Sequence, residues 1–270
     1  NTDNLFTRVS PPDNDLFFRS KDEHDIRLGE IVETNAESFA NAKVVLLSCS
    51  QDIGVIRNNG RKGATLGPES IRKAFYKLVA PPSLLKGDLF DLGDSFIDDE
   101  LEVIHQHHFE IVKMLLEAGK RVVVLGGGND LSYPDCKAYK SVHPDCKAIN
   151  IDAHLDIRIS DKANSGTPYR QLLDESVLLP SEFYEIGIQP QLNSPKYIED
   201  AKLKQVTIKY LKEVQRAFRS DQLDILLQPF LSNELFLGFD LDSIKSSDAP
   251  GVSAPSPHGH TSEQAIMLVE

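Results

Sequence analysis

Short apolar runs rich in β-branched residues alternate along the chain with longer segments of helical periodicity. Three of the short runs, VVLL, RVVVL and AINI, are almost continuously apolar, which is typical of strands buried on both faces of a parallel sheet. The predicted strands are Lys43–Ser48, Leu89–Leu92, Arg121–Leu125, Lys147–Ile151, Phe183–Ile186, Gln205–Ile208 and Glu234–Phe239.

Predicted helices lie between these strands. Gly67-Pro68-Glu69-Ser70 opens one of them, because proline and glutamate are favoured in a first helical turn. Leu101–Ala118 carries apolar residues at helical spacing and is followed by Gly119, a common helix terminator. Such alternation predicts a doubly wound α/β protein, a three-layer α/β/α fold with a mostly parallel sheet. Ligands of such folds bind at the carboxyl ends of the strands.

Length and composition favour one domain over residues 1–270, in which residues 1–36 form an irregular N-terminal arm over the surface. The net charge of −12 argues against binding to nucleic acid or to an anionic membrane. No window approaches the ~18 apolar residues of a membrane-spanning helix. Three unclustered cysteines and the absence of a signal-peptide pattern predict reduced thiols and a cytoplasmic location.

Candidate chemistry is concentrated after two of the predicted strands. Asp152, His154 and Asp156 alternate directly after one strand, and Asp240 and Asp242 follow another. Each cluster alone is compatible with a solvated strand end or a turn. If both meet at one edge of a parallel sheet, however, their carboxylates repel one another unless cations are bound. Carboxylates with an imidazole suit Mn²⁺ or Mg²⁺ better than Zn²⁺, and paired ions lower the pKa of a bridging water.

A triple glycine, Gly126-Gly127-Gly128, follows the predicted strand that ends at Leu125. It allows a tight strand-to-helix turn or a close backbone approach to a ligand. The spacing is not G-x-G-x-x-G, and no acidic residue follows in the place typical of a dinucleotide site. Nucleotide binding is therefore not predicted.

Several segments together resemble the signature blocks of the arginase (ureohydrolase) superfamily, and they occur in the same order along the chain. They are DAHLDIR at 152–158, SGTP at 165–168, GFDLDSI at 238–244, DAPGVSAP at 248–255 and the glycine-rich block at 52–72. RLGEIV at 27–32 and GIQPQLNS at 187–194 are most similar to the formimidoylglutamase members.

This resemblance implies a three-layer fold with a parallel sheet and two Mn²⁺ ions per chain. A hydroxide that bridges the ions then attacks the carbon of an amidine or guanidine. By position, Asp152 and Asp240 bridge the ions, His154 and Asp242 complete one ion site, and Asp156 joins the other. Asp152, Asp240 and His154 are the residues expected to act in catalysis.

One expected ligand differs from the family pattern. The remaining ligand of the family is a histidine in a G-G-x-H turn, and this position holds Asn129. A carboxamide oxygen is a weaker donor than imidazole for Mn²⁺. Three outcomes stay open: two ions with one bound loosely, a single well-bound ion, or loss of catalysis. Asp130 next to it is a candidate replacement ligand.

The substrate is expected to be an amidino acid, in the first place N-formimidoyl-L-glutamate, which is hydrolysed to L-glutamate and formamide. Ser165 and Gly166 match the S-G-T-P pattern of formimidoylglutamases, and Asn193 lies near where arginases carry an acidic group. Arg158 is expected either to contact a substrate carboxylate or to form a salt bridge within its loop. Alternatives are an arginase, agmatinase or guanidino-acid hydrolase, or a metal-poor member with a regulatory or structural role.

Two expectations concern the whole protein. Family members commonly self-associate, so the resemblance implies a homo-oligomer. Family members also continue beyond the second aspartate cluster through a helix–strand–helix segment, whereas here Ser262–Glu270 is predicted to be a helix capped by Ser262. Either the C-terminal end is incomplete or the sheet lacks its last strand.

Overall fold

A computed structural model of the protein describes residues 2–230 and 234–270, and these form two compact units. One unit contains the chain up to Ile53 together with Gly63–Gly128. The other contains Gly54–Lys62 and Asn129–Glu270. Residue 1, the first of the predicted arm, lies outside the described residues. The single domain over residues 1–270 stays a prediction.

The first unit is built on a four-stranded sheet of order β1-β3-β2-β4. β2 runs parallel to both β3 and β4, and the short β1 adds to β3 in the antiparallel sense. The strands are β1 (Val9–Ser10), β2 (Val44–Cys49), β3 (Leu89–Ser95) and β4 (Arg121–Gly126). The helices are α1 (Thr2–Phe6), α2 (Leu28–Ile31), α3 (Ile53–Arg57, mostly in the second unit), α4 (Gly67–Phe75) and α5 (Leu101–Glu117).

The second unit is built on an entirely parallel sheet of order β7-β6-β5-β8. Its strands are β5 (Lys147–Ile151), β6 (Phe183–Ile188), β7 (Thr207–Tyr210) and β8 (Leu235–Phe239). Its other helices are α6 (Ser132–Val142), α7 (Pro168–Asp174), α8 (Pro195–Leu203), α9 (Leu211–Arg219), α10 (Leu223–Leu227) and α11 (Ser262–Val269).

Helices cover both faces of the second sheet. Apolar residues of α6, α7 and α8 pack with Ala148 and Phe183 in one core cluster. Residues of α9, α10 and α11 pack with Ile149, Ile151 and Ile186 in another. Because neighbouring residues of a strand point to opposite faces, this division gives the three α/β/α layers that the sequence predicted.

Strands are present at all seven predicted positions, although several of their boundaries differ from the predicted ones. β7 begins at Thr207 instead of Gln205, because Gln205 adopts a left-handed conformation with φ of 71° and the Val206 N–H closes the end of α8. The C-terminal helix is capped by Thr261, whose hydroxyl accepts a hydrogen bond from the Gln264 N–H, and not by Ser262 as predicted.

The N-terminal segment is more regular than the irregular arm that its polar sequence predicts. From Thr2 onward it contains α1, β1 and α2, with a short 3-10 helix at Asn14–Leu16. Four apolar side chains of this segment, Leu5, Val9, Leu16 and Leu28, are buried. Scattered apolar residues thus fix a segment whose average composition is polar.

A buried ion pair joins α4 to the first sheet. Arg72 donates to both carboxylate oxygens of Asp91, each at 2.8 Å, and each residue is only 1% exposed. The Tyr76 hydroxyl donates to the same carboxylate. The charges are therefore both removed from water and fully hydrogen-bonded.

The state of the cysteines and the length and apolar character of the helices can be compared directly with the structure. The three cysteines, Cys49, Cys136 and Cys146, are free and buried. No helix within the described ranges combines the length and apolar character needed to cross a bilayer.

Candidate metal centre

The two aspartate clusters lie at the carboxyl ends of neighbouring strands. β5 and β8 pair in parallel with Ile151 opposite Phe239, and the Asp240 N–H donates to the Ile151 carbonyl at 3.0 Å. The chain leaves both strands at the same edge of the sheet. This places Asp152 and Asp240, the first residue of each cluster, side by side.

The side chains of the clusters form two groups that share Asp152. Asp152, His154 and Asp242 form one group, and Asp152, Asp156 and Asp240 form the other. In each group the candidate ligand atoms lie within 4.8 Å of one another. His154 Nδ1 lies 3.1 Å from Asp242 Oδ2 and 3.5 Å from Asp152 Oδ1. The five residues that sequence patterns selected therefore converge.

Local backbone hydrogen bonds fix both clusters. Asp152 Oδ1 accepts from the His154 N–H at 2.7 Å, and Asp240 Oδ1 accepts from the Asp242 N–H at 2.9 Å. Asp156 adopts a left-handed conformation with φ of 48°, which an aspartate tolerates better than most residues. The chain turns away from the cluster at this point.

The electrostatics of the site are those of crowded, desolvated carboxylates. Burial, with the nearby Asp242 carboxylate, raises the pKa of Asp152 to about 6. Burial and Asp152 raise the pKa of Asp240 to about 7. The pKa values of Asp156 and Asp242 are also raised, first by burial and then by neighbouring carboxylates. Burial disfavours the His154 imidazolium, but Asp152 and Asp242 outweigh it and raise its pKa to about 11.

These observations fit a divalent-cation site. Burial and mutual repulsion both favour protonation of these carboxylates, and a bound cation relieves the repulsion. Asp242 Oδ1 is buried and has no hydrogen-bond partner among the described residues, so it is free to bind an ion. Four carboxylates with one imidazole are a donor set that suits Mn²⁺.

Asn129 lies beside this centre, at the start of the short 3-10 helix Asn129–Leu131. Its amide nitrogen donates a hydrogen bond to Asp156 Oδ2, and its amide oxygen accepts one from Ser132 Oγ at 2.9 Å. The carboxamide thus contacts a candidate ligand with its NH₂ group. Asp130, the proposed replacement ligand, is fully buried and belongs to neither ligand group of the described residues.

Asn193 braces the loop that carries the first cluster. Its amide oxygen accepts from the Leu155 N–H at 2.9 Å, and its amide nitrogen donates to the Ala153 and Gln189 carbonyls, also at 2.9 Å. The sequence predicted a substrate-facing side chain here. These hydrogen bonds connect Asn193 to the loop that carries the first cluster, and its contact with a substrate stays a prediction.

The other three predicted substrate-binding residues, Arg158, Ser165 and Gly166, lie together. The Arg158 N–H donates to the Gly166 carbonyl at 2.9 Å, and a Cβ on Gly166 would lie 3.0 Å from Arg158 Cδ. Asn58 joins them: its oxygen accepts from Arg158 Nη1 at 3.2 Å, and its nitrogen donates to Ser165 Oγ at 3.0 Å. No local sequence signal distinguished Asn58, which lies 107 residues before Ser165.

The remaining histidines belong to neither ligand group of the described residues. His105 and His108 are buried on α5 in the first unit, and His107 on the same helix is exposed. His258 is exposed, whereas His260 is completely buried.

Comparisons with known proteins give a consistent result. The model of the arginase family matches residues 42–270. The formimidoylglutamase of Macrococcus caseolyticus is 31% identical over 267 residues, which cover 97% of this chain and 81% of that protein.

Solved structures agree with the sequence comparison. A crystal structure of Trypanosoma cruzi formiminoglutamase with Mn²⁺ is similar with a TM-score of 0.82 and 33% identity, covering 90% of this chain and 84% of that one. A variant of the trypanosomal protein in which an asparagine is replaced by histidine, also with Mn²⁺, has a TM-score of 0.82 at 32% identity. The match covers 91% of this chain and 84% of that one.

Proposed function

We propose, since the chain belongs to the arginase family, that it hydrolyses the C–N bond of a linear amidine and that its substrate is N-formimidoyl-L-glutamate. Water is consumed, and L-glutamate and formamide are the products. The observation that carries this proposal is the convergence of five metal-type ligands at the ends of β5 and β8. The formimidoylglutamase relatives support the choice of substrate.

The ions that suit this donor set are two Mn²⁺ per chain. Asp152 and Asp240 would be shared between them, His154 and Asp242 would hold one, and Asp156 would hold the other. Mn²⁺ bound here supplies a water of lowered pKa as nucleophile and stabilises negative charge that develops on the substrate. The two groups of ligand atoms, which have Asp152 in common, support its shared role, and the shared role of Asp240 rests on the family resemblance.

The ion beside Asp156 would be the weaker of the two. The Asn129 amide nitrogen donates a hydrogen bond to Asp156 Oδ2, and this hydrogen bond competes with a cation for the same oxygen. The imidazole that the family pattern supplies at this position is missing. Loss of this second ion would lower activity near neutral pH, because a metal-bound hydroxide depends on the charge of the bound cations.

Substrate recognition is assigned to the cluster that surrounds Arg158. Its guanidinium is exposed, and its position two residues after Asp156 places it next to the metal ligands along the chain. A guanidinium with neighbouring amide and hydroxyl groups suits a carboxylate of the glutamate portion. Asn58 and Ser165 would hold Arg158 and its loop in place. Asn193 would act on the ligand loop.

The location and partners of the enzyme are proposed from its cysteines, its charge and the family resemblance. A cytoplasmic location accords with three buried free thiols, and a homo-oligomer accords with the family resemblance. The acidic net charge is consistent with a small-molecule substrate and with no nucleic-acid or membrane partner.

A product assay tests the proposal. The Mn²⁺-loaded protein is incubated separately with N-formimidoyl-L-glutamate, L-arginine, agmatine and guanidino acids, and formamide and urea are measured by NMR. Formamide from the first substrate, abolished by Asp152→Ala with Asp240→Ala, is the expected result. Urea from a guanidine would instead identify the arginase or agmatinase alternative. No turnover of any substrate, with little bound Mn²⁺, would identify a metal-poor family member.

A further inference from the structure

A buried phenol lies behind the candidate metal centre. Tyr169 on α7 is completely buried, and its ring stacks on Phe183 with the ring centroids 4.6 Å apart. The Tyr169 hydroxyl donates to Asn150 Oδ1 at 3.1 Å. No motif drew attention to this tyrosine, and the proposed reaction does not use it directly.

Asn150 connects the phenol to Asp152. It is completely buried on β5, and its amide nitrogen donates to Asp152 Oδ2 at 3.3 Å and to Glu185 Oε2 at 3.0 Å. Glu185 lies opposite Asn150 on β6 and is also completely buried. Because both carboxyl groups accept from the NH₂ group, the amide oxygen must point towards Tyr169, and the phenol fixes that orientation.

Gly238 provides independent evidence that the chain leaves room for this hydroxyl. It lies opposite Asn150 on β8, and a Cβ at this position would overlap the Tyr169 hydroxyl. A side chain other than hydrogen would therefore push the phenol away from Asn150. The hydrogen bond thus depends on residues of α7, β5 and β8 together.

We infer that Tyr169 is a positioning residue for the metal ligands, whose hydroxyl orients Asp152 through Asn150. This inference rests on the proposed function, because it concerns how the same centre holds its ions. Hydrogen bonds to the groups that orient metal ligands commonly change metal affinity by about 10- to 100-fold. A single buried hydroxyl is expected to act at the lower end of this range.

The direct test is Tyr169→Phe, which removes one oxygen atom and leaves the stacked ring. Mn²⁺ is titrated into the metal-free protein, and unbound Mn²⁺ is followed by its electron paramagnetic resonance signal. We expect the dissociation constant to rise about 10-fold. Tyr133→Phe is the matched control, since Tyr133 lies in the same unit and its hydroxyl bonds to Glu175 and Lys137. Its Mn²⁺ affinity is expected to equal that of the wild type.

A second variant perturbs the same hydrogen bond from β8. Gly238→Ala is expected to weaken Mn²⁺ binding, because the new methyl group displaces the phenol. In the double variant Tyr169→Phe, Gly238→Ala the hydroxyl is absent, so binding should resemble that of Tyr169→Phe alone. Fully additive losses would contradict a common origin in the Tyr169 hydroxyl.

The outcomes separate this inference from the proposed function. If the wild type binds no Mn²⁺, the proposed metal centre is wrong, and the inference is overturned with it. If the wild type binds Mn²⁺ and Tyr169→Phe binds it equally well, the inference alone is overturned. Should circular dichroism show that Tyr169→Phe is unfolded, Gly238→Ala decides: weaker Mn²⁺ binding supports the inference, and unchanged binding overturns it.

Discussion

The side-chain amide of Asn129 donates a hydrogen bond to Asp156, one of the aspartates that could hold a metal ion. The family resemblance implies a metal-binding histidine at this position. Asn129 instead donates a hydrogen bond to Asp156. The metal centre is expected to be asymmetric for this reason, with the weaker affinity on the side of Asp156.

Replacement of Asn129 by histidine should strengthen the weaker ion site. We expect Asn129→His to raise the Mn²⁺ content measured by elemental analysis from near one towards two per chain after dialysis at low Mn²⁺. Imidazole is a better donor than a carboxamide for this ion. Asn129→Ala is the control, because it removes the hydrogen bond without adding a ligand. Two tightly held Mn²⁺ ions per wild-type chain would contradict the predicted asymmetry.

Arg158 should govern substrate affinity more than the chemical step. Arg158→Ala is expected to raise KM for N-formimidoyl-L-glutamate by about 10- to 100-fold with a small change in kcat. The loss corresponds to one charge-assisted interaction of about 1.5–3 kcal/mol. Asn58→Ala should act in the same direction but less, since Asn58 only holds the guanidinium.

A suitable control for that experiment is Arg170→Ala. Arg170 pairs with Asp174 on α7 and is not part of the cluster that surrounds Arg158. Steady-state kinetics of the three variants at one Mn²⁺ concentration provide the comparison. If Arg158→Ala leaves KM unchanged, Arg158 has a structural role in its loop, as a salt-bridge or hydrogen-bonding residue, and does not bind the substrate.

His260 should make the protein sensitive to acid. It is completely buried, neither ring nitrogen has a hydrogen-bond partner among the described residues, and burial lowers its pKa to about 4. Its ordinary pKa is near 6.5, so between these values the unfolded chain binds a proton that the folded chain does not. The stabilising contribution is complete above pH 6.5 and is lost as the pH falls towards 4.

The measurement is the free energy of unfolding in urea at several pH values, with EDTA present to remove metal ions. His260→Leu cannot titrate, so the wild type should lose more stability than this variant between pH 7 and 4. The expected difference is on the order of 2–3 kcal/mol. Parallel pH profiles for the two proteins would show that His260 is not the residue responsible.

The ion pair of Arg72 with Asp91 should be important for stability. Asp91→Ala leaves the Arg72 guanidinium buried without its main partner, which typically costs about 3–5 kcal/mol. Glu69→Ala is the matched control on the same helix, because its ion pair with Lys73 is exposed and contributes about 0.5 kcal/mol. Chemical denaturation should rank the two variants clearly. Equal stabilities would refute a structural role for the buried pair.

Local sequence patterns predicted most of the fold and the five convergent ligands. Strands such as Lys147–Ile151 are recognisable because burial on both faces requires a continuous apolar run. Asp152 and Asp240 could be paired in advance because the ends of parallel strands meet at one edge of a sheet. These are properties that a short stretch of sequence contains.

Contacts between distant segments were not predictable in the same way. Asn58 meets Ser165, and Tyr169 meets Asn150, only through the three-dimensional arrangement of loops and helices. The hydrogen bonds of Asn193 to Leu155 and Ala153 were not predictable for a related reason, because sequence position indicated its neighbourhood but not the direction of its amide. The N-terminal segment is more regular than predicted, because a few buried leucines hold it in place although its average composition is polar.

The pairing of β5 with β8 also determines when the ligands can first meet as the chain is synthesised. β8 follows the seven other described strands in the sequence, so the ribosome delivers Asp240 and Asp242 long after Asp152, His154 and Asp156 have emerged. The earlier three residues provide only part of each ligand group. The complete set of candidate ligands can therefore form only after β8 has been synthesised.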